Sequence, residues 1–219
     1  MVLTGAAGLN RMRVARIANS IESSLTVCGY QDHLSSAFGG ANLWSWGVRD
    51  TQTLGGVRRI PLLAAGAVAA LNRRLGVVFT GEAHDSSVTT QDWIRQYCAG
   101  TNRDEWYAAN DATADLAAAL ADQDWTAART ALDRESRLRE QCSPGAVTPA
   151  AHGFLDIARD LGCAARFAGG GGGGSVWAFG DPEDIASVVA SWRNHGRCVP
   201  GSTHLSCAPT ARGVHVWTT

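Results

Sequence analysis

Arg166-Phe167-Ala168 runs into Gly169-Gly170-Gly171-Gly172-Gly173-Gly174 and leaves through Ser175-Val176-Trp177-Ala178-Phe179. Glycine carries no Cβ, so a run of six gives a backbone free to take positive φ and open to close approach by another group. Apolar, strand-forming residues stand directly on both sides, whereas a flexible tether mixes in Ser or Pro and joins polar flanks. The stretch therefore reads as a tight loop between two strands. Such a loop can aim several N–H groups at a phosphate. It can equally be a glycine-rich turn with no ligand, and glycine content alone does not choose between the two.

Working outward, Asp181-Pro182-Glu183-Asp184 is a helix start: Asp at the N-cap, Pro at the first position and acids in the first turn. Ile185, Val188, Val189 and Trp192 form its apolar stripe, and Gly213 to Trp217 is expected to be a final strand. On the other side, Thr148 caps a helix with Pro149 at its first position, lined by Phe154, Ile157, Ala158 and Leu161 and closed by Gly162. Earlier helices are expected over Ser86–Tyr97, Ala108–Leu120 and the Arg/Glu-rich Thr126–Cys142, after a buried strand Leu75–Thr80 that Gly81 stops. Two more strands are read at Ala41–Trp46 and Val57–Leu63, with Asn72–Arg74 a polar connection. At the front, Val14, Ile17, Ala18 and Ile21 mark one face of a helix that opens almost at Met1 without a cap. From residue 75 the order is strand, several helices, strand, glycine loop, strand, helix, strand. That is an α+β arrangement with helices on one face of an antiparallel sheet.

Composition narrows the partners. The 219 residues are 45% hydrophobic and 18% charged with a formal net charge of −1, and the sequence pI is about 6.6. No general basic field is present to recruit nucleic acid or an anionic membrane. Cys28, Cys98, Cys142, Cys163, Cys198 and Cys207 form no Cys-x-x-Cys pair. With no basic n-region at the start, they read as reduced thiols of a cytoplasmic protein. The longest apolar run, Leu62–Leu71, is too short to span a bilayer.

Four places carry candidate chemistry. Asp32 lies in the polar stretch Cys28–Gly40 between Gln31 and His33, with no Lys or Arg nearby to balance it. An Asp there serves as a turn or cap residue, or orients and deprotonates a hydroxyl beside a phosphate loop. Glu22 ends the first helix, either on its solvated face or turned into a site as a Mg²⁺ ligand. His84-Asp85-Ser86 holds the residue types of a hydrolase triad, but adjacent positions cannot meet as nucleophile, base and orienter. His195, Cys198, His204 and Cys207 have the residue types of a zinc site with too few intervening residues, and no metal ligands are assigned there.

Three stretches resemble the superfamily of galactokinase, homoserine kinase, mevalonate kinase and phosphomevalonate kinase (GHMP kinases), and within it the D-glycero-D-manno-heptose 7-phosphate kinases. Arg166 through Val176 resembles the family's third motif, a basic residue, a short apolar link and a glycine run before a strand. Ile21-Glu22, Gly29-Tyr30-Gln31-Asp32 and Ala37-Phe38-Gly39-Gly40-Ala41-Asn42 resemble the heptose-kinase catalytic stretch. Val77-Val78-Phe79-Thr80-Gly81 followed by Ser86 resembles the strand that opens the C-terminal domain.

The resemblance implies a catalytic base at Asp32, a Mg²⁺ ligand at Glu22 and an active-site loop at Gly169–Gly174 with Ser175. It implies transfer of the γ-phosphoryl of ATP to a hydroxyl of a sugar or sugar phosphate. It also implies a remainder of an N-terminal α/β kinase domain over 1–72 and a ferredoxin-like C-terminal domain over 73–219. The chain departs from the family in having no Pro-x3-Gly-Leu-Gly-Ser-Ser-type nucleotide loop and no substrate-holding first motif. Met1-Val2-Leu3-Thr4 falls just inside the helix that should follow that loop, so a kinase lacking the front of its N-terminal domain is expected. A degenerate kinase fold kept as a binding or regulatory protein is the alternative.

Overall fold

A computed structural model describes residues 10–26, 28–46, 56–83 and 86–215. Met1-Val2-Leu3-Thr4, the His84-Asp85 pair, Val216 and Trp217 lie outside the described residues. The chain divides into two compact units, Met1–Ala69 with Pro209–Thr219, and Ala70–Ala208.

In the first unit α1 (Arg11–Ser23) and α2 (Gln31–Phe38) precede an antiparallel pair, β1 (Asn42–Trp46) with β2 (Val57–Pro61). Contrary to the expectation of an uncapped helix, Asn10 caps α1 by accepting from the Arg13 N–H at 2.8 Å. The buried face is also rotated from the stripe read in the sequence: Val14, Ala15 and Asn19 are buried, whereas Ile21 is 53% exposed. Asn19 earns its place inside by donating to the Gly29 carbonyl at 3.1 Å, a polar partner that an apolar count does not register.

Ala15, Leu34 and Ala37 form the small core, with Phe38 set edge-on to Trp44 at 5.3 Å. Arg59 stacks over Phe38 at 5.0 Å and donates to Asn42 across the strand pair. The expected final strand is corrected. Residues 213–215 are not a strand, and the tail packs in this unit: Gly40 N–H donates to Thr210 O and Val214 N–H to Ala37 O. Glycine permits the approach, because a Cβ on Gly39 would lie 2.6 Å from the Arg212 carbonyl carbon.

A short helix, α3 (Ala65–Leu71), leads to the second unit, which holds β3 (Leu75–Phe79), α4 (Ser86–Ala99), α5 (Arg103–Ala121) and α6 (Trp125–Cys142). A single 3-10 turn, Pro144–Ala146, and α7 (Pro149–Asp160) precede β4 (Ala164–Phe167) and β5 (Ser175–Phe179); α8 (Pro182–Gly196) and β6 (Thr203–His204) follow. The four strands lie in the order β4-β5-β3-β6, with every neighbouring pair antiparallel. Two crossovers and one hairpin in that order make the ferredoxin-like arrangement. Among the described residues the last strand is the short β6 against Val78 and Phe79, and residues 213–215 of the expected Gly213–Trp217 strand are not in it.

α7 and α8 share the core with the sheet. Thr148 caps α7 as expected, its Oγ1 accepting from the Ala151 N–H, and Pro149 opens the helix. Phe154, Leu155, Val188 and Trp192 are buried there with Phe167 and Val176. The Trp192 indole N–H donates to Phe154 O at 2.7 Å, so its one polar group costs nothing to bury. Asp181 opens α8 without a side-chain cap bond; it pairs instead with Arg74 at 2.6 Å. Among the described residues no helix is long and apolar enough to cross a membrane. All six cysteines are unpaired.

Candidate active site

The site residues expected from sequence fall in both units. In the first, α1 ends at Glu22 and α2 begins at Asp32. Asp32 was read as a loop residue; it stands in the first turn of α2, exposed, where the helix dipole favours a carboxylate. Among the described residues it makes no ion pair or hydrogen bond, so both oxygens are open to a ligand.

Glu22 Oε2 lies 2.9 Å from His33 Nε2, with Glu22 51% exposed and His33 11% exposed. His33 Nδ1 is buried with no hydrogen-bond partner among the described residues. Sequence reasoning passed over His33 as a mere neighbour of Asp32. Its signal was faint, because only the fold turns the imidazole back onto the end of α1. The pairing holds one carboxylate oxygen of Glu22 and leaves the other open. Mg²⁺ typically takes one or two carboxylates and completes its shell with waters and phosphate oxygens, so this residue fits the group.

In the second unit the glycine run joins β4 to β5 as a hairpin loop, as read. Gly169, Gly171, Gly172, Gly173 and Gly174 all have positive φ, from +59° at Gly169 to +113° at Gly173. The loop is tied down along its second half. Gly172 N–H donates to Ala146 O at 2.8 Å, Gly174 N–H to Glu82 O at 3.0 Å, and Gly174 O accepts from both Thr80 N–H and Thr80 Oγ1. The Glu82 carboxylate in turn accepts from the Thr148 hydroxyl.

A Cβ on Gly171 would lie 2.5 Å from Ala146 Cβ, and one on Gly173 would collide with Ala83 O. At Gly169 a Cβ would meet nothing within 4 Å. Protein packing thus accounts for the glycines at 171 and 173. Among the described residues the N–H groups of Gly169, Gly170 and Gly173 have no hydrogen-bond partner; Gly173 is buried against Ala83, so Gly169 and Gly170 are the donors left for a phosphate. Thr80, Glu82, Ala146 and Thr148 build the platform; Thr148 was expected only as a helix cap and Thr80 only at a strand end, and Glu82 and Ala146 were not singled out from sequence.

Arg166, the basic residue ahead of the run, faces away from such a role. Its Nε lies 2.9 Å from Glu135 Oε2, an ion pair whose angles do not make a hydrogen bond. Burial pulls its guanidinium below the usual arginine range, while Glu135 pushes it back up. Of the tempting zinc set, His195 stacks edge-on against Phe154 at 4.9 Å and His204 faces Arg193. Among the described residues no three His, Cys, Asp or Glu are placed to hold a metal.

Residues 116–198 match the protein family described as GHMP kinases C terminal. That segment covers α6, α7, β4, the glycine loop, β5 and α8, so the loop sits inside the matched GHMP segment. Solved GHMP kinases share the fold. L. major mevalonate kinase, in complex with R-mevalonate, is 16% identical with a TM-score of 0.68, covering 90% of this chain and 58% of its own. Lactococcus lactis galactokinase, complexed with galactose, is 12% identical with a TM-score of 0.64, covering 94% of this chain and 61% of its own. Streptococcus pneumoniae phosphomevalonate kinase, in complex with phosphomevalonate and AMPPNP, is 18% identical with a TM-score of 0.52, covering 68% of this chain and 43% of its own. The chain therefore spans less than two thirds of the length of these kinases. No curated protein matches it.

Proposed function

We propose that the chain is part of an ATP-dependent sugar or sugar-phosphate kinase, of the kind that heptose 7-phosphate kinases represent. The observation that carries this reading is the glycine hairpin: inside the segment matching the GHMP kinases, it leaves the Gly169 and Gly170 N–H groups without a partner among the described residues, at a loop otherwise fixed to protein. In this reading residues 1–72 belong to the N-terminal kinase domain and 73–219 to the C-terminal one. The unpaired cysteines fit a cytoplasmic enzyme.

Asp32 is the proposed base. Exposed, unpaired and held in a helical first turn, it orients the acceptor hydroxyl and takes its proton. Glu22 offers its open oxygen to Mg²⁺ while His33 fixes the other, so the carboxylate is positioned before the ion arrives. The Gly169 and Gly170 N–H groups donate to phosphate oxygens. Bound Mg·ATP supplies the γ-phosphoryl group and neutralises the charge that builds during transfer. The 219 residues include no Pro-x3-Gly-Leu-Gly-Ser-Ser-type stretch, so this polypeptide expressed alone is expected to bind ATP weakly and to turn over little. Robust phosphorylation of a hexose or heptose phosphate by these 219 residues would overturn that statement.

One observation favours a second reading, a non-catalytic kinase fold that serves as a binding or regulatory protein. Two of the six glycines, Gly171 and Gly173, are required by packing on Ala146 and Ala83, with no ligand needed. Assay of ATP-dependent phosphoryl transfer across a panel of sugars and sugar phosphates separates the two. A kinase shows turnover with at least one acceptor, and a regulatory protein shows none under conditions where it still folds.

A further inference from the structure

The Arg/Glu-rich character of α6, conspicuous in the sequence, is not used by the glycine loop or by Asp32. It builds a guanidinium cluster along β4, whose Gly162 and Cys163 end is the one remote from the glycine loop. Arg139 Nε donates to Glu135 Oε1 at 2.7 Å, and Arg166 faces the other oxygen of the same carboxylate. Arg159, on α7, is 14% exposed; it is held by Glu140 and by the Ser136 hydroxyl at 3.3 Å. Arg137 pairs with Asp133 at 2.8 Å. Arg129 has no carboxylate partner among the described residues and donates only to the Gly162 carbonyl. Five guanidiniums thus meet three carboxylates, Asp133, Glu135 and Glu140.

The cluster opens on a cavity of about 260 Å³, whose wall includes Arg129, Arg137, Arg159, Asp133 and Cys163. Asp133 balances Arg137 and Glu140 balances Arg159, which leaves the Arg129 charge in excess at this wall. Arg159 Nε is buried with no hydrogen-bond partner among the described residues; Asp133 Oδ1, 3.9 Å away, is too far to accept from it. A buried unsatisfied donor on a charged group is costly.

We infer that this cavity is a binding site for the phosphate group of a small metabolite or for inorganic phosphate, distinct from the glycine loop. Guanidinium forks match the paired oxygens of a phosphate, and three of them around one cavity can meet several of its oxygens at once, where a carboxylate offers only two. The cavity is below the range typical of drug-sized ligand pockets, which disfavours a nucleotide. Nothing in this inference depends on the kinase reading, and its test does not use turnover.

The test is titration of the protein with inorganic phosphate at constant ionic strength, followed by the ¹H–¹⁵N signals of the arginine Nε–H groups. Saturable shifts of the Arg129 and Arg159 signals are expected. Arg129→Gln and Arg137→Gln, at partly or fully exposed positions that fold without strain, should each weaken phosphate at least about tenfold. Arg193→Gln, remote in sequence and outside the cluster, should change nothing. Glycerol 3-phosphate binding as tightly as or more tightly than phosphate identifies a phosphomonoester; binding of phosphate alone identifies the free ion. Either supports the inference. Absence of saturable shifts up to about tenfold above physiological phosphate levels would overturn it. So would affinity unchanged in both cluster variants, or equal affinity for acetate.

Discussion

Gly171→Ala and Gly169→Ala, compared in the same background, separate packing from ligand contact within a single loop. At Gly171, φ is +75°, and an L side chain there costs about 1–2 kcal/mol. The new Cβ would also lie 2.5 Å from both Ala146 Cβ and Ala146 O. Ala146 cannot withdraw freely, because its carbonyl accepts from the Gly172 N–H at 2.8 Å and its side chain belongs to the core. Overpacking of that kind adds about 1–3 kcal/mol, for a total of about 2–5 kcal/mol. Gly169, with φ of +59° and nothing within 4 Å of a Cβ, pays only the backbone cost of about 1–2 kcal/mol. Urea unfolding followed through a probe in the second unit gives both values. Gly171→Ala should be the more destabilised by about 1–3 kcal/mol, whereas Gly169→Ala should be the one that weakens nucleotide binding in an active protein. Equal destabilisation, or Gly171→Ala within about 0.5 kcal/mol of wild type, would refute the packing argument.

Other perturbations test the neighbouring claims. Glu135→Ala strands Arg166 in a buried position without its carboxylate and should cost about 3–5 kcal/mol, read by urea unfolding; a cost below 1 kcal/mol would show that the pair is not buried in solution. Cys163 is 4% exposed, and burial pushes its thiol from an ordinary 9.0 up to about 11. Because the folded value is raised, this stabilising contribution is fully present below pH 9 and is lost as pH rises through 11, with a total of order 2 kcal/mol. Cys163→Ala should flatten that part of the stability profile. In native protein Cys163 should also alkylate far more slowly than the exposed Cys98, Cys198 and Cys207, as peptide mapping after brief alkylation would report. His33→Gln should raise the Mg²⁺ concentration needed for half-maximal activity by about 10–100-fold if it positions Glu22; an unchanged Mg²⁺ dependence would remove it from that role.

Much of the second unit was legible in the sequence because its signals are local. Thr148-Pro149, Asp181-Pro182 and the stripe through Ile185, Val188 and Trp192 state helix starts and faces directly, and all of them stand in the structure. The glycine run flanked by apolar residues announced a hairpin for the same reason. The misreadings occurred where a distant partner decides. Asn19 is inside because the Gly29 carbonyl meets it, which displaces the expected stripe and leaves Ile21 outside. The alternation after Gly213 suggested a strand, but the backbone at Val214 is claimed by Ala37 in the first unit. Asp32 and Glu22 are candidates that the kinase resemblance supplied, and their local sequence alone left each with a structural alternative. His33 could not be named, since its pairing with Glu22 depends on how α2 returns against α1. Likewise, which glycines serve packing depends on Ala83 and Ala146, far away in sequence.

Phosphoryl transfer by the protein expressed from its native gene, measured from γ-labelled ATP to a panel of sugars and sugar phosphates with wild type beside Asp32→Asn, tests the kinase reading most directly. Turnover on at least one acceptor should fall by about 10²–10⁴-fold in Asp32→Asn, with ATP affinity largely retained, because the change removes a proton acceptor and leaves the glycine loop intact. Turnover undiminished in Asp32→Asn would contradict the account.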